Sequence, residues 1–343
     1  VTLAAVATTL ALAFVLFLYA VGLRIAHVLH KRNTRRLRNR WWPVLGRAAM
    51  ESGESLEEIL PRRRPFSRVK LLREWCRFRG HLRGNFGGTF DQLAEVLGLI
   101  NVARRLLKKA STHNKLLAIQ ALGFLRDQSS WNSIQALITH RNISISVTAA
   151  TSLIHIDADR AIPLIIPLIS ERTTWPRTQI GRMLGLAGPK AVTVPLCLAI
   201  ENAQADRAVR LLQFYESASM NDVDSLVAKI LLTRSDPALC AAALKAVRGH
   251  LPGPTIARLA KHHAWFVRMQ AANVLGRFGR REDYRILEPL LSDDEWWVRY
   301  RAAQAIVKLP FLGPNALRKL CNRQSDRYAR DILRQALAES GLS

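Results

Sequence analysis

The side chains best suited to metal or nucleophilic chemistry in this chain are nine histidines and four cysteines. The histidines are His27, His30, His81, His113, His140, His155, His250, His262 and His263; none completes an HExxH or a Cys/His set at metal-ligand spacing. His27 and His30 stand beside Lys31, a setting for headgroup contact or solvation rather than for a metal. His262 and His263 are adjacent and so point to different helical faces. Cys76, Cys197, Cys240 and Cys321 form no CxxC pair, which excludes a disulfide-built scaffold and a zinc ribbon and suits a reducing compartment. No GxSxG, GxGxxG or phosphate-cradling loop is present. The acidic loop Asp293-Asp294-Glu295 precedes a helical pattern, where negative charge favours the first turn electrostatically. The residues therefore predict no enzyme, no metal and no cofactor, and a chain that acts by binding.

The elements that would present a binding surface begin with charge. The chain has 343 residues, 51 Lys+Arg against 26 Asp+Glu, and a net charge of +25. At 49% hydrophobic it has the material for a sizeable core. Val1 to Leu23 carry no charged side chain. At ~1.5 Å per residue a helix of that length spans a ~30 Å hydrocarbon layer. The basic residues follow the apolar run rather than precede it, which favours an uncleaved anchor over a signal peptide. From Arg24 to Arg83 there are 17 Lys+Arg against 5 Glu, a net of +12. By the positive-inside rule this side is cytoplasmic, so the expectation is a single-pass bacterial inner-membrane protein with its N-terminus outside. The expected divisions are a transmembrane helix over 1–23, a basic juxtamembrane segment and linker over 24–65, a helical entry region over 66–111, and a repeat domain over 112–343.

Within the basic segment, Arg24, Lys31, Arg32, Arg35, Arg36, Trp41 and Trp42 are the candidates for the membrane interface, with anionic lipid as their partner. Packing of the two indoles on the first helices of the domain is the equal alternative. Glu51-Ser-Gly-Glu-Ser reads as a polar break from 44 onward, and Leu60-Pro61-Arg-Arg-Arg-Pro65 as an extended connector. A helix is expected from Phe66 to about Leu82. Val69, Leu71, Leu72, Trp75, Cys76 and Phe78 lie on its apolar half, for burial or for lipid contact. Gly84, Gly87 and Gly88 then make a loop, and Thr89 caps a helix expected from Phe90 to about Lys109.

The remainder is periodic. Val267 and Val298, Ala271 and Ala302, and Leu275 and Ile306 are each separated by 31 residues. Lys115–Leu122 aligns with Ser146–Leu153 in the same register, and a degenerate unit lies around Arg207–Leu212. Most units add a second apolar stretch, such as Trp131–Ile138, Ala161–Ile169 and Asp283–Leu291. An alanine-rich helix, a turn and a second apolar helix make a hairpin that must stack on its neighbours to bury its apolar face.

The pattern Trp-x-Val-Arg-x-x-Ala-Ala-x-x-Leu, then Gly, then an apolar helix, resembles HEAT repeats of the short bacterial kind, whose relatives include the phycobilin-lyase HEAT-like proteins. The resemblance covers residues 112–338. It implies a HEAT-type α-solenoid of helical hairpins, so that with the apolar run Val1–Leu23 the expected fold is all-α, an N-terminal transmembrane helix followed by the solenoid. It also implies a structural ladder between neighbouring repeats, with Arg268, Asp294 and Arg299 at the matching positions. Such solenoids hold other proteins. The layout further resembles accessory proteins of family-2 glycosyltransferases in exopolysaccharide or envelope glycan export, which implies a membrane-bound polysaccharide synthase as partner. An electrostatic tether for nucleic acid or anionic lipid, and a lyase-like or chaperone-like action on a chromophore protein, are the alternative readings. Nucleic acid ranks low, because residues 112–343 carry a net +11 that is spread rather than blocked.

Overall fold

The computed structural model describes residues 2–50, 67–81, 88–108 and 111–341. The side chains of residues 2–15, and those of a few others including His27, His30 and Lys31, lie outside that description. So do the linker prolines Pro61 and Pro65, and Gly84 and Gly87. Among the described residues all regular structure is helical, and no strand occurs. The helices fall into two compact units, residues 1–157 and 158–343.

The first unit opens on one long helix, α1 (Thr2–Met50). The linker expected from residue 44 therefore begins later, because the helix continues through Trp41, Trp42 and Pro43. An interior proline costs a helix up to ~3 kcal/mol. Here Trp41, Val44, Leu45 and Ala48, at helical spacing, are all buried. Burying one large apolar side chain is worth ~1.5–3 kcal/mol, so this stripe offsets the proline. The stripe packs on α2 (Arg68–His81) and α3 (Gly88–Val96).

In α2 the residues Leu71, Leu72, Trp75 and Cys76 are buried, so its apolar half faces protein rather than lipid. Burial pushes the Cys76 thiol far above its ordinary value. Trp75 stacks on Phe90 with ring centroids 5.2 Å apart. The single helix expected over 90–109 is two, α3 and α4 (Leu99–Leu107), and Thr89 lies inside α3 rather than capping it. The break is at Gly98, whose φ of 65° is left-handed and suits glycine. Beyond it come α5 (Thr112–Phe124), a short α6 (Trp131–Gln135) after a 3-10 turn, and α7 (Ile143–Ile156). α5 packs against both α4 and α7.

The second unit holds α8 (Ala158–Glu171), α9 (Arg177–Ala187), α10 (Pro189–Asn202), α11 (Ala205–Leu212) and α12 (Met220–Thr233). It continues with α13 (Pro237–Ala246), α14 (Gly253–Ala260), α15 (Trp265–Phe278) and α16 (Tyr284–Leu287, extended by a 3-10 turn). It ends with α17 (Trp296–Lys308), α18 (Pro314–Arg323) and α19 (Arg327–Glu339). α11, α13, α15, α17 and α19 pack in that order as one layer. α12 pairs with α13, α14 with α15, and α18 with α19, which is the hairpin stacking of an α-solenoid. The 31-residue register is kept at the helix starts Trp265, Trp296 and Arg327.

Small residues set the spacing within the layer. Val267, Ala271, Ala272 and Leu275 of α15 are buried, as are Val298, Ala302, Ala303 and Ile306 of α17. At Gly276 an added Cβ would lie 2.7 Å from both Cα and Cβ of Ala305. Gly123 of α5 approaches Ser152 of α7 as closely, at 2.6 Å. By contrast nothing lies within 4 Å of a Cβ built at Gly181 in α9. Gly181→Ala should therefore stabilise by up to ~1 kcal/mol through helix propensity. Gly276→Ala should lower stability by ~1–3 kcal/mol despite the same propensity gain, because the overlap meets backbone. Paired thermal melts read the opposite signs, and equal shifts would refute the close-packing account.

Candidate interaction surface

The residues of the expected ladder occupy the turns that enter α15, α17 and α19. Arg268 Nη1 donates to the carbonyl oxygens of His262 and His263, at 2.9 and 3.0 Å. Arg299 Nη1 donates to those of Asp293 and Asp294, at 2.7 and 3.0 Å. Arg330 Nη2 donates to that of Gln324, at 2.9 Å. In each case an arginine in the first turn of a helix reaches back six residues and closes the turn before it. The device repeats at 31-residue spacing.

Arg268 also makes a two-pronged ion pair with Asp293 of the following turn, Nε to Oδ2 and Nη2 to Oδ1 both at 2.7 Å. This corrects the sequence expectation: the acidic partner in the ladder is Asp293, while Asp294 contributes its main-chain carbonyl. The reason is orientation. The Asp293 carboxylate turns inward, where it also accepts the Glu295 amide at 3.0 Å, whereas Asp294 is exposed. Burial by itself raises the Asp293 carboxyl, but the Arg268 and Glu295 hydrogen bonds outweigh it and hold the group below its ordinary value. Sequence reasoning missed Arg330, although its 31-residue distance from Arg299 was the available signal.

The first unit has its own ion pair, in which only the carboxylate is buried. Arg104 of α4 meets Asp127 with Nε–Oδ2 at 2.9 Å and Nη2–Oδ1 at 2.6 Å. Ser130 and Ser129 donate to the same carboxylate, at 2.6 and 2.9 Å. Burial raises the Asp127 carboxyl, yet the bonds from Arg104, Ser130 and Ser129 bring it down to about 2.

The closed turns hold a row of aromatics at the helix starts. Trp265, Trp296 and Trp297 are 37%, 42% and 49% exposed, and Tyr328 is 69% exposed. Trp296 stacks on Tyr300 with centroids 5.0 Å apart and planes 11° apart. Trp297 stands edge-on to Trp296 at 4.7 Å and 82°. The Arg299 guanidinium lies 5.6 Å from the centroid of the Tyr328 ring on the next helix. Ladder and aromatics are thus one construction, with the half-buried arginines fixing the turns from which the rings project.

The membrane-interface candidates divide. Arg24, Arg32, Arg35 and Arg36 are exposed along α1, and the side chain of Lys31 lies outside the described residues. Residues 16–25 are exposed on every face of the helix, including Leu16, Phe17, Leu18, Leu23 and Ile25. Trp41 and Trp42 do not belong with them, because both indoles are taken up by packing. Trp41 is buried. Trp42 meets Phe78 edge-on at 5.6 Å and donates from Nε1 to Glu74 at 3.2 Å. Among the described residues no helix is long and apolar enough to cross a membrane; most of the apolar run Val1–Leu23 lies outside the described side chains.

A family model described as HEAT repeats matches residues 211–307, which run from the end of α11 through α12 to α17. Over that stretch the chain is similar to HEAT repeats, which are generally protein-interaction scaffolds, and the hairpin stacking of the helices fits an α-solenoid. No curated protein matches the chain.

Arg268→Ala strands the inward Asp293 carboxylate and should cost ~2–4 kcal/mol, whereas Asp294→Ala should stay within ~0.5 kcal/mol; denaturant titration separates the two. Acid titration tests Asp127. A carboxyl held below its unfolded value stabilises the fold fully above that value. This contribution fades as pH falls from ~4 through about 2. With Arg104 part-exposed, its size should be about 1–2 kcal/mol. Asp127→Asn should remove this portion of the acid dependence, and an unchanged slope would refute the assignment.

Proposed function

We propose that this chain is a non-catalytic scaffold that uses its HEAT repeats to hold a partner protein at a membrane surface. The observation that carries the reading is the row of part-exposed aromatics, Trp265, Trp296, Trp297 and Tyr328, projecting from rigidly closed turns within the matched and following repeats. Aromatic and arginine side chains dominate binding energy at protein interfaces. The attachment rests on α1. Its apolar residues 16–23 are exposed and covered by none of the described residues of the first unit, and the exposed arginines 24, 32, 35 and 36 follow. Such an order suits insertion of the apolar part and contact of the guanidinium groups with anionic headgroups, at ~1 kcal/mol each. In this reading the repeats lie on the cytoplasmic face. The layout supports a membrane-bound glycosyltransferase of polysaccharide synthesis as the first partner to test.

Membrane fractionation of the full-length protein checks the attachment. The protein should remain with the membrane through high salt and an alkaline carbonate wash. A variant with Leu16, Phe17, Leu18 and Leu23 changed to Ser should be released by the wash. Release of the unaltered protein by salt alone would overturn the anchor and leave electrostatic adsorption. The scaffold itself is checked by crosslinking in the intact membrane followed by purification in mild detergent. Recovery of a stoichiometric protein partner is expected, and its absence would overturn the scaffold reading.

A further inference from the structure

The ends of the layer helices form an edge of their own. His250, in the turn after α13, meets Asp283, in the turn after α15, with Nε2–Oδ2 at 2.9 Å. Arg248 of the same turn lies 4.8 Å from the ring centroid of Tyr215, in the turn after α11. Gly276 and Ala305 bring the last turns of α15 and α17 into close approach. The turns that leave successive helices of the layer therefore lie side by side, at the opposite end from Trp265, Trp296 and Tyr328.

This edge is basic. Residues 245–254, 277–287 and 308–318, which run from the helix ends through the turns, hold eight Lys+Arg against Glu282 and Asp283. Asp283 is buried, bonded to His250, and accepts the Arg280 amide at 2.8 Å. Glu216 and Glu288 stand at the border, and even with them eight cations face four acids. Among the described residues none of the eight lies in an ion pair. A cation in the last turn of a helix complements its dipole, which accounts for Lys245, Arg277 and Lys308. It does not account for Arg248, Arg280 and Arg281 in the turns. At the other edge, by contrast, arginines are spent on carbonyl groups, Arg258 on that of Leu231 and Arg268 on that of His262.

Six of the eight cations are arginine, whose planar guanidinium forks onto phosphate. An open basic strip therefore suits a phosphate-bearing surface. A nucleic-acid base needs an open ring to stack on. Here Tyr215 lies under Arg248, and Phe278 under Arg277 at 4.6 Å. A chain held at a bilayer through α1 meets lipid phosphate at high effective concentration.

We propose that the edge at the ends of α13, α15 and α17 lies on the anionic bilayer surface, as a second membrane contact made by the repeats. The proposal rests on the attachment through α1 and adds a lipid-binding surface to it. The starts of the same helices, with their aromatic row, then face away from the bilayer and are open to a protein partner.

The test places a fluorophore on the full-length protein in vesicles. Gly249→Cys labels the strip at an exposed position with nothing within 4 Å of an added Cβ, and Ser325→Cys labels the opposite edge. Cys197→Ser removes the half-exposed thiol, and the other three cysteines are buried. Lipid spin-labelled at its headgroup quenches whichever label touches the surface. In vesicles of phosphatidylcholine with phosphatidylglycerol, quenching at 249 should exceed that at 325 at least about threefold. The difference should vanish in phosphatidylcholine alone, and in ~1 M salt, where the Debye length is ~3 Å. It should also vanish in the variant Lys245→Gln, Arg280→Gln, Arg281→Gln, Lys308→Gln, with an unchanged melting temperature. Equal quenching at both sites, or a difference kept in neutral vesicles or by the variant, would overturn the proposal. So would displacement of the strip from the vesicles by a DNA duplex supplied at less phosphate than the lipid. Protein that stays with the vesicles through an alkaline carbonate wash, yet shows no quenching at 249, rejects the strip and keeps the anchor. Release of the whole protein by salt rejects the anchor, while quenching at low salt still decides the strip.

Discussion

A helical hairpin of about thirty residues buries only one face against itself, and the other must be covered by the next hairpin. That requirement governs the second unit. It explains why alanines and glycines recur where α15 meets α17, since only small side chains let two backbones approach until their larger neighbours interlock. It also explains why polar side chains are spent on the turns. Stacked hairpins bring each turn next to another, leaving carbonyl groups that water reaches poorly, and an unpaired buried carbonyl costs ~1–3 kcal/mol. Arg268, Arg299 and Arg330 satisfy these groups from the helix that follows.

The two units meet the same constraint differently. In the second, the arginine-to-carbonyl bonds repeat with the helices, and Arg268 adds an ion pair to Asp293. Where the register fails, as at Pro237, the carbonyl six residues back is served from elsewhere: Arg258 of α14 donates to the Leu231 carbonyl. In the first unit a single cluster of Arg104, Asp127, Ser129 and Ser130 takes the place of the ladder, while aromatic packing of Trp75, Phe90 and Phe124 is added to the small-residue seam between α5 and α7. Regular turns place Trp265, Trp296 and Tyr328 at the starts of successive helices of one layer.

Two features of the chain thus divide its labour. The helix α1 leaves apolar side chains exposed over residues 16–25, without a partner among the described residues, and the repeats present rings held against one another at Trp296, Trp297 and Tyr300.

Much of this was legible from residue types and spacing. The 31-residue interval gave the helix starts of the last repeats, and the arginines at 268 and 299 stood out from it. Pattern reveals these because every repeat solves one packing problem with the same side chains. What pattern did not reveal was direction. Asp293 and Asp294 are adjacent acids in one loop, and only the path of the turn decides which carboxylate points inward to Arg268. Trp41 and Trp42 follow a basic run as interface tryptophans do, but partners thirty residues on, Glu74 and Phe78, draw Trp42 into the protein. Pro43 reads as a helix end, yet buried neighbours on both sides carry α1 past it. The sequence by itself determined the helical class, the repeat length and the apolar and basic order of α1, because these are properties of neighbouring residues. The tertiary structure alone decided which of two equivalent side chains is used and where α1 ends, because those outcomes depend on contacts with residues far along the chain.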